Sequence, residues 1–474
     1  MTASDNRMPV TPAQRWVLAL ASVGSFIVVL DLLVVSTALT AIRADLGASI
    51  EQLEWTINAY TVAFAVLLMT AAGLGDRFGR RKSYAVGLGL FALASAACAL
   101  APDVGWLIAA RTVQGMGAAA IMPLALALLN VAFAPQQRGW AVGVFGGVTG
   151  LGALLGPVVG GLVTQGLRWE WIFWLNVPIV AAAIPLVLTR TEESVGPRTP
   201  LDVRGVLLVT GAVFGLVWAL MRGNSAGWRS PEALASWVIG AALGVAFVAW
   251  ERRAPAPMLP MRLFRSPAFA AGNAGIFLVN AAITGAIFLM AQFLQTALGQ
   301  GPLDSGLQLL PWGVAPFLLT PIAGAMINRI GARTLAACGT ALMAIGLGWV
   351  ALIAAPSLGY GALVAPLVLI GTGMALAVPA LTRSAVSSVE PPDIAAASGT
   401  FSTLRQLGGA FGVAAVAAVF AATGNYTSPQ AFTAGFAPAM GVTAVLVLVG
   451  IGTALGLPRR STSDRRQVAV GAAE

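Results

Sequence analysis

The chain is 474 residues long, 58% hydrophobic and only 9% charged, with a mean hydropathy of +0.85. Soluble globular chains carry about 25% charged residues, so a deficit spread along the whole length excludes a water-soluble domain and indicates a polytopic membrane protein. The net charge of +9 does not signify nucleic acid, because the basic residues sit in short clusters between apolar runs, where they set membrane topology.

The N-terminal stretch MTASDNRMPVTPAQRW runs into an apolar segment without a small-residue cleavage site, which reads as a retained first span rather than a cleaved signal peptide. A helix needs ~20 apolar residues to cross the hydrocarbon core. In chain order the apolar runs predict spans at 16–40, 53–74, 83–101, 106–131, 139–165 and 171–189. Two follow at 203–221 and 233–250, then six at 268–298, 305–327, 334–355, 360–382, 395–422 and 432–457. Fourteen is even, so both termini lie on one side. Of the 27 lysines and arginines, 21 fall on that side and four (Arg43, Arg168, Arg222, Arg229) on the other, while Arg111 and Arg405 lie within spans. The positive-inside rule therefore predicts cytoplasmic termini in the bacterial cytoplasmic membrane. Trp16, Trp55, Trp106, Trp169 and Trp171 fit an interfacial belt.

The longest polar connections, 190–204 and 251–267, bracket spans seven and eight. This predicts an N-terminal six-helix bundle (1–189), linkers with two inserted helices (190–267), a C-terminal six-helix bundle (268–457) and a disordered cytoplasmic tail (458–474). The chain has no histidine, so an imidazole relay or imidazole metal site is excluded. Cys98 and Cys338 lie in apolar segments and read as packing residues. No metal or cofactor is expected.

Three motifs carry mechanism. AAGLGDRFGRRKSYAVG (71–87) joins spans two and three. Gly73, Gly75 and Gly79 permit a tight turn and close helix approach, and Asp76 sits among Arg77, Arg80, Arg81 and Lys82, where it can pair and cap a helix end. LIAARTVQGMGAAAIMP (107–123) places Arg111 in span four, costly in hydrocarbon unless it snorkels. GGVTGLGALLGPVVGG (146–161) sets Gly152, Gly156, Gly160 and Gly161 at small-residue spacing, with Pro157 to bend the helix.

Asp31, in VVLDLLVVSTALTAI (28–42), is the one acid that the runs place deep in a span; the others fall in tails, loops or span edges. It is about eight residues from the outer end of span one, and Arg111 about five from that end of span four. The depths are ~12 and ~8 Å, so the two can meet or share a cavity. Asp31 is thus the candidate for reversible protonation, or else is held permanently in an ion pair with Arg111.

In this order and on these spans, the three motifs resemble the major facilitator superfamily: its loop between helices two and three, its basic motif in helix four and its antiporter motif in helix five. Fourteen spans resemble the drug:proton antiporter branch, as do RWEWIFWLNVPI (168–179), PLDVRGVLL (200–208), SGLQLLPWG (305–313) and SGTFSTLRQLGGAFGVA (398–414). The resemblance implies an all-α fold of two six-helix bundles plus two inserted helices, with a gate loop at 73–81, proton and substrate coupling at Asp31 and Arg111, and gate or support roles for Gln114 and Arg405. Arg405 holds the cytoplasmic end of span thirteen or else snorkels to the surface. The resemblance also implies the exchange of protons for drugs or antibiotics across the lipid bilayer. A cavity of aromatic and aliphatic side chains with one carboxylate suits amphipathic cations as cargo, and a monomer without nucleic acid is expected. The second-half echo AGAMINRIGAR (323–333) has Asn328 where an acid would complete the pattern, and Leu32 to Ser36 are less polar than the family norm. The alternative is a carrier of the same fold for a nutrient or lipid-like solute. An enzyme is not indicated, because no nucleophile–base pair or phosphate loop appears.

Overall fold

The computed structural model describes residues 10–196, 200–225, 227, 229–390 and 393–458. Among these there is no strand, and 14 helical segments are long and apolar enough to cross a bilayer. Hydrocarbon offers no water to backbone N–H and C=O groups, so an apolar run of this length satisfies itself only as a helix. The first six spans are α1 (Pro12–Leu46), α2 (Ile50–Phe78), α3 (Arg80–Ala99), α4 (Val104–Ala132), α5 (Pro135–Gly166) and α6 (Asn176–Arg190). Next come α7 (Val203–Ser225) and α8 (Pro231–Glu251). The last six are α9 (Pro267–Gln292), α10 (Leu310–Ile330), α11 (Ala332–Ile353), α12 (Gly361–Val386), α13 (Ile394–Thr423) and α14 (Pro429–Leu455). The tail expected to be disordered lies, beyond Pro458, outside the described residues.

Several helices overrun the apolar runs because polar caps satisfy their ends outside the hydrocarbon. Thr11 accepts from the Gln14 N–H at 3.2 Å while the Gln14 side chain accepts from the Thr11 N–H at 3.0 Å, and Ser49 with Gln52 repeats this capping box. A cap followed by proline opens α8, α9 and α14 (Ser230–Pro231, Ser266–Pro267, Ser428–Pro429), where proline's missing N–H costs nothing.

Three spans are less regular than the runs suggested. Span six starts as a separate turn, Trp171–Trp174, and span ten as a short helix, Pro302–Gln308. Pro178 and Pro311 lie just inside the helices that follow, and each lacks the N–H that would have carried the hydrogen-bond ladder across the break. Span nine continues past α9 into a π turn, Phe293–Ala297, a local widening that often marks functional sites.

Within the first six spans, α1 packs on α5, α4 and α6, α2 on α4, and α3 on α4 and α6; within the last six, α9 packs on α13, α14 and α12, and α11 on α12 and α14. The α7–α8 hairpin packs on itself and lies over α2 and α13, burying Val209, Val217 and Leu220 against Val62, Val66, Ala410 and Ala414. The two sets of six also meet directly, through α2 with α13, α1 with α9, and α5 with the 302–308 helix and α10.

The α5 seam is asymmetric. On the face where α1 ends and α2 begins (the second face), a Cβ placed at Gly161 would come 2.8 Å from Leu303 Cα. Towards the face where α1 begins and α2 meets α3 (the first face), Gly139, Gly143, Gly146 and Gly147 have nothing within 4 Å of such a Cβ, and neither has Gly324 on α10. The inner space between the two sets is therefore shut by close packing at the second face and open beside α5 and α10 towards the first.

Candidate functional site

Asp31 and Arg111 meet. Arg111 Nη1 lies 2.5 Å from Asp31 Oδ2, with the residues 0% and 1% exposed. The other carboxylate oxygen accepts from Gln114 Nε2 and from Asn176 Nδ2, each at 2.9 Å. Arg111 also donates through Nε to the Thr56 carbonyl at 3.1 Å and through Nη1 to Gln114 Oε1 at 2.7 Å, and its guanidinium lies 4.2 Å from the Tyr60 ring centre. Ser95 completes the cluster, accepting from Asn176 at 3.0 Å and from Gln114 at 3.3 Å and donating to the Phe173 carbonyl at 2.9 Å. Cys98 Sγ contacts Gln114 Oε1 at 3.7 Å.

Chemically, this is a carboxylate whose charge is met by one guanidinium and two amides in a dry site, where such bonds are short and strong. Every partner comes from α1, α2, α3, α4, α6 or the 171–174 turn, so Asp31 is enclosed inside the first set of six and does not open onto the inner space. Asn176 and Ser95 escaped the sequence reading. Asn176 had a signal, a lone amide in the apolar string WIFWLNVPI (171–179); Ser95, among small residues, had none.

The 73–81 loop is held by a segment the sequence reading did not pair with it. Arg80 Nε lies 2.7 Å from Asp76 Oδ1. The backbone N–H groups of Arg81 and Lys82, at the start of α3, donate to the Glu193 carboxylate at 3.0 and 3.3 Å, so Glu193 caps α3 from the α6–α7 linker. Arg81 Nη1 donates to the carbonyls of Leu188 and Thr191, and the Arg80 N–H to that of Ser194 at 2.8 Å. Gly79 adopts φ +107 in the turn, where a Cβ would also run into Glu193. Gly75 packs under Leu124, Gly73 faces Leu201, and Arg77 is exposed beside Phe78. The hydrogen bonds and ion pairs of this loop run to residues 188–196, none to the last six spans among the described residues.

The α5 motif is a packing ridge. Gly152, Gly156 and Gly160 lie against α1, where added Cβ atoms would stand 2.7 Å from the Phe26 carbonyl, Leu33 Cβ and the Val34 carbonyl. Gly161 and the Pro157 carbonyl lie instead against the 302–308 helix. One helix thus touches α1 on one side and the opposite set of six on the other.

At the second face a polar network links the two sets. Gln295 in the π turn donates to the Thr37 carbonyl at 2.9 Å and accepts from the Thr40 hydroxyl. Tyr426 donates to Gln292, and Arg43 lies 4.0 Å from the Tyr426 ring centre. Burial pushes the Tyr426 hydroxyl well above its ordinary value, opposed by Arg43, so it stays a donor. Glu54, at a span edge by sequence, is only 2% exposed, and its Oε2 has no hydrogen bond. Glu251 is equally enclosed and accepts from the Leu259 N–H at 3.0 Å. Among the described residues Asp31 is therefore one of three buried acids, because helix packing encloses two groups that the apolar runs left at span edges.

Outside the spans, Arg262 meets Asp393 at 2.5 Å and its hydrogen bond holds that carboxyl below the usual range, tying the α8–α9 linker to the start of α13. Arg405 stands apart from Arg111. It is half-buried within α13; its carbonyl accepts from Asn280 at 2.7 Å, and its guanidinium makes no hydrogen bond or ion pair among the described residues.

The family model described as Major Facilitator Superfamily matches residues 21–413 and 272–472. The multidrug resistance protein Stp of Mycobacterium tuberculosis (strain CDC 1551 / Oshkosh) is 35% identical over 413 residues, 86% of this chain and 76% of that protein. The tetracenomycin C resistance and export protein of Streptomyces glaucescens is 34% identical over 422 residues, 89% of this chain and 78% of its own length. A solved bacterial homologue of the human lysosomal transporter Spinster superposes with a TM-score of 0.67 at 17% identity, covering 94% of this chain and 97% of the other, a likeness of fold.

Proposed function

We propose that this chain, which belongs to the major facilitator superfamily, is a proton-coupled antiporter that exports amphipathic drugs or antibiotics by alternating access. It is a transporter of small molecules rather than an enzyme, and a multi-pass protein of the bacterial cytoplasmic membrane. The reading of export rests on relatives named for drug resistance and export. In this proposal the first face is cytoplasmic, as the distribution of basic residues favours. The rocking units are residues 1–189 and 268–457, with 190–267 as the inserted hairpin and its linkers, and the chain works as a monomer.

The observation that carries proton coupling is the bonding of Asp31. Its carboxylate joins α1 to α4 through Arg111 and Gln114 and to α6 through Asn176. A proton on Asp31 removes the charge that Arg111 balances and turns one acceptor oxygen into a donor facing donors, so α1 loses its tie to α4 and α6. Through Gly152, Gly156 and Gly160, α1 carries α5 with it, and α5 bears on the 302–308 helix at the closed seam. Protonation in one bundle thereby reaches the contact between bundles.

A cationic cargo was expected on the premise of an accessible Asp31 carboxylate. With three donors on that carboxylate, a cation reaches it only by displacing Arg111, so this part of the reading requires a conformation in which the pair has opened.

The test is efflux into everted vesicles energised by a pH gradient. Asp31→Asn is expected to abolish gradient-driven efflux of a fluorescent drug while leaving membrane insertion and drug-for-drug exchange in place. Undiminished gradient-driven efflux by that variant removes Asp31 from the coupling.

A further inference from the structure

Two arginines lie deep in spans, and only one is accounted for. Arg111 has a carboxylate, a carbonyl, an amide oxygen and an aromatic ring around it. Arg405 is half-buried, and its guanidinium makes no ion pair or hydrogen bond among the described residues. It stands 11 residues into the 30-residue α13, ~17 Å from the helix start. A guanidinium at that depth is costly and by default marks a functional site.

Successive residues of α13 turn by about 100°, and its neighbours show which way Arg405 points. Gly399 and Ala410 face α2, against Met69 and against Val62 and Val66. Phe411 and Ala414 face the α7–α8 hairpin, beside Val217 and Leu220. Gly408 faces α9, where an added Cβ would stand 2.9 Å from Phe277 Cα. Arg405 and Gly409 fall in the sector between α9 and α2, on the far side of α13 from the hairpin, which is the side of the inner space. A Cβ at Gly409 would lie 2.9 Å from Asn280 Nδ2 and 3.1 Å from Thr284 Oγ1, so two polar side chains of α9 stand beside this sector. Asn280 is engaged with the Arg405 carbonyl and, at 3.4 Å, with the Thr284 oxygen. That leaves the Thr284 hydroxyl hydrogen and the guanidinium donors to meet a ligand.

We propose that Arg405, assisted by the Thr284 hydroxyl, receives a carboxylate group of the transported molecule. The guanidinium fork matches a carboxylate with two parallel hydrogen bonds, and Asp31, enclosed within the first set of six, is engaged by Arg111 instead. The cargo class is thus an amphipathic acid, its apolar body lying along the aliphatic and aromatic side chains of the inner space. This inference rests on the transporter reading above and specifies its cargo.

The test uses the full chain in phosphatidylcholine nanodiscs, with pyrenebutyrate and the neutral pyrenebutanol as matched probes. Wild type is expected to bind the acid more tightly than the alcohol. Arg405→Gln is expected to weaken the acid on the order of tenfold or more, the scale of a charge-assisted hydrogen bond, and to leave the alcohol within about twofold. Arg405→Lys, keeping charge without the fork, restores part of the loss, and Thr284→Val, which reads the same site if Arg405→Gln fails to fold, weakens only the acid. Equal binding of both probes by wild type, or equal weakening of both by Arg405→Gln, overturns the proposal. So does loss of acid binding when phosphatidylglycerol replaces phosphatidylcholine, which assigns the site to a lipid headgroup. Specific acid binding without pH-driven efflux of the acid keeps the subsite and refutes proton-coupled export; efflux of the alcohol alone, with no acid preference, does the reverse.

Discussion

Arg111 and Asp31 form a buried charge pair, in which breaking the pair and replacing it whole have different costs. Desolvating two ions is expensive, and their attraction offsets it only when the remaining donors and acceptors are also met; here Gln114, Asn176, Ser95 and the Thr56 carbonyl do most of that. One guanidinium nitrogen, Nη2, and the Asn176 carbonyl oxygen stay without a partner, so the cluster has slack on which a rearrangement can draw. Removing one charge leaves the other buried and uncompensated. Asp31→Asn and Arg111→Gln are each expected to cost about 3–5 kcal/mol, and the double variant less than either. Denaturation in detergent measured across the four proteins gives the coupling; additive losses would mean the charges do not depend on each other.

Among the helices, α5 shows why spacing alone does not reveal what a glycine does. Its glycines look alike in sequence, yet Gly160 lies where a Cβ would meet the Val34 carbonyl at 2.7 Å and Gly143 lies where it would meet nothing within 4 Å. Gly160→Ala is expected to destabilise by about 1–3 kcal/mol through overpacking and to slow transport. Gly143→Ala is expected to be neutral or to stabilise by up to about 1 kcal/mol through helix propensity. Thermal stability of the two variants in detergent checks this, and a cost at Gly143 equal to that at Gly160 would mean α5 packs closely along its whole length. Gly160 faces α1 and Gly161 the 302–308 helix because consecutive residues of a helix point about 100° apart.

For the molecule as a whole, the contacts between the two sets of six are unequal. The α2–α13 seam is covered by the α7–α8 hairpin, whereas among the described residues the α5–α10 seam has no such cover and is open towards the first face. The second face is held by side-chain hydrogen bonds that alternating access would break and remake, Thr40 to Gln295 and Tyr426 to Gln292. Joining Thr40→Cys to Gln295→Cys with a short bifunctional thiosulfonate is therefore expected to stop transport, and reduction to restore it. Transport that continues while the link is intact would show that this contact does not part during the cycle.

Much of this protein follows from local constraints. Each crossing requires about 20 apolar residues and a helix that satisfies its own backbone, so the number of spans, their order and the arginine clusters between them were legible in the residues. So were Asp31 and Arg111, because a charge in an apolar run has no local justification; the α5 glycines stood out by their spacing, but which of them pack did not. Long-range packing decided the rest. Spans that are apolar on every side carry little signal of which side faces a neighbour, so nothing local showed that Asn176 and Ser95 would close around Asp31 or that Glu193 would cap α3. Likewise Glu54, at a span edge in sequence, becomes enclosed, and Arg405, which resembles Arg111 in sequence, is left without a carboxylate. Lipid imposes the same requirement on every span and so writes it into each; which polar group meets which depends on helices brought together from opposite ends of the chain.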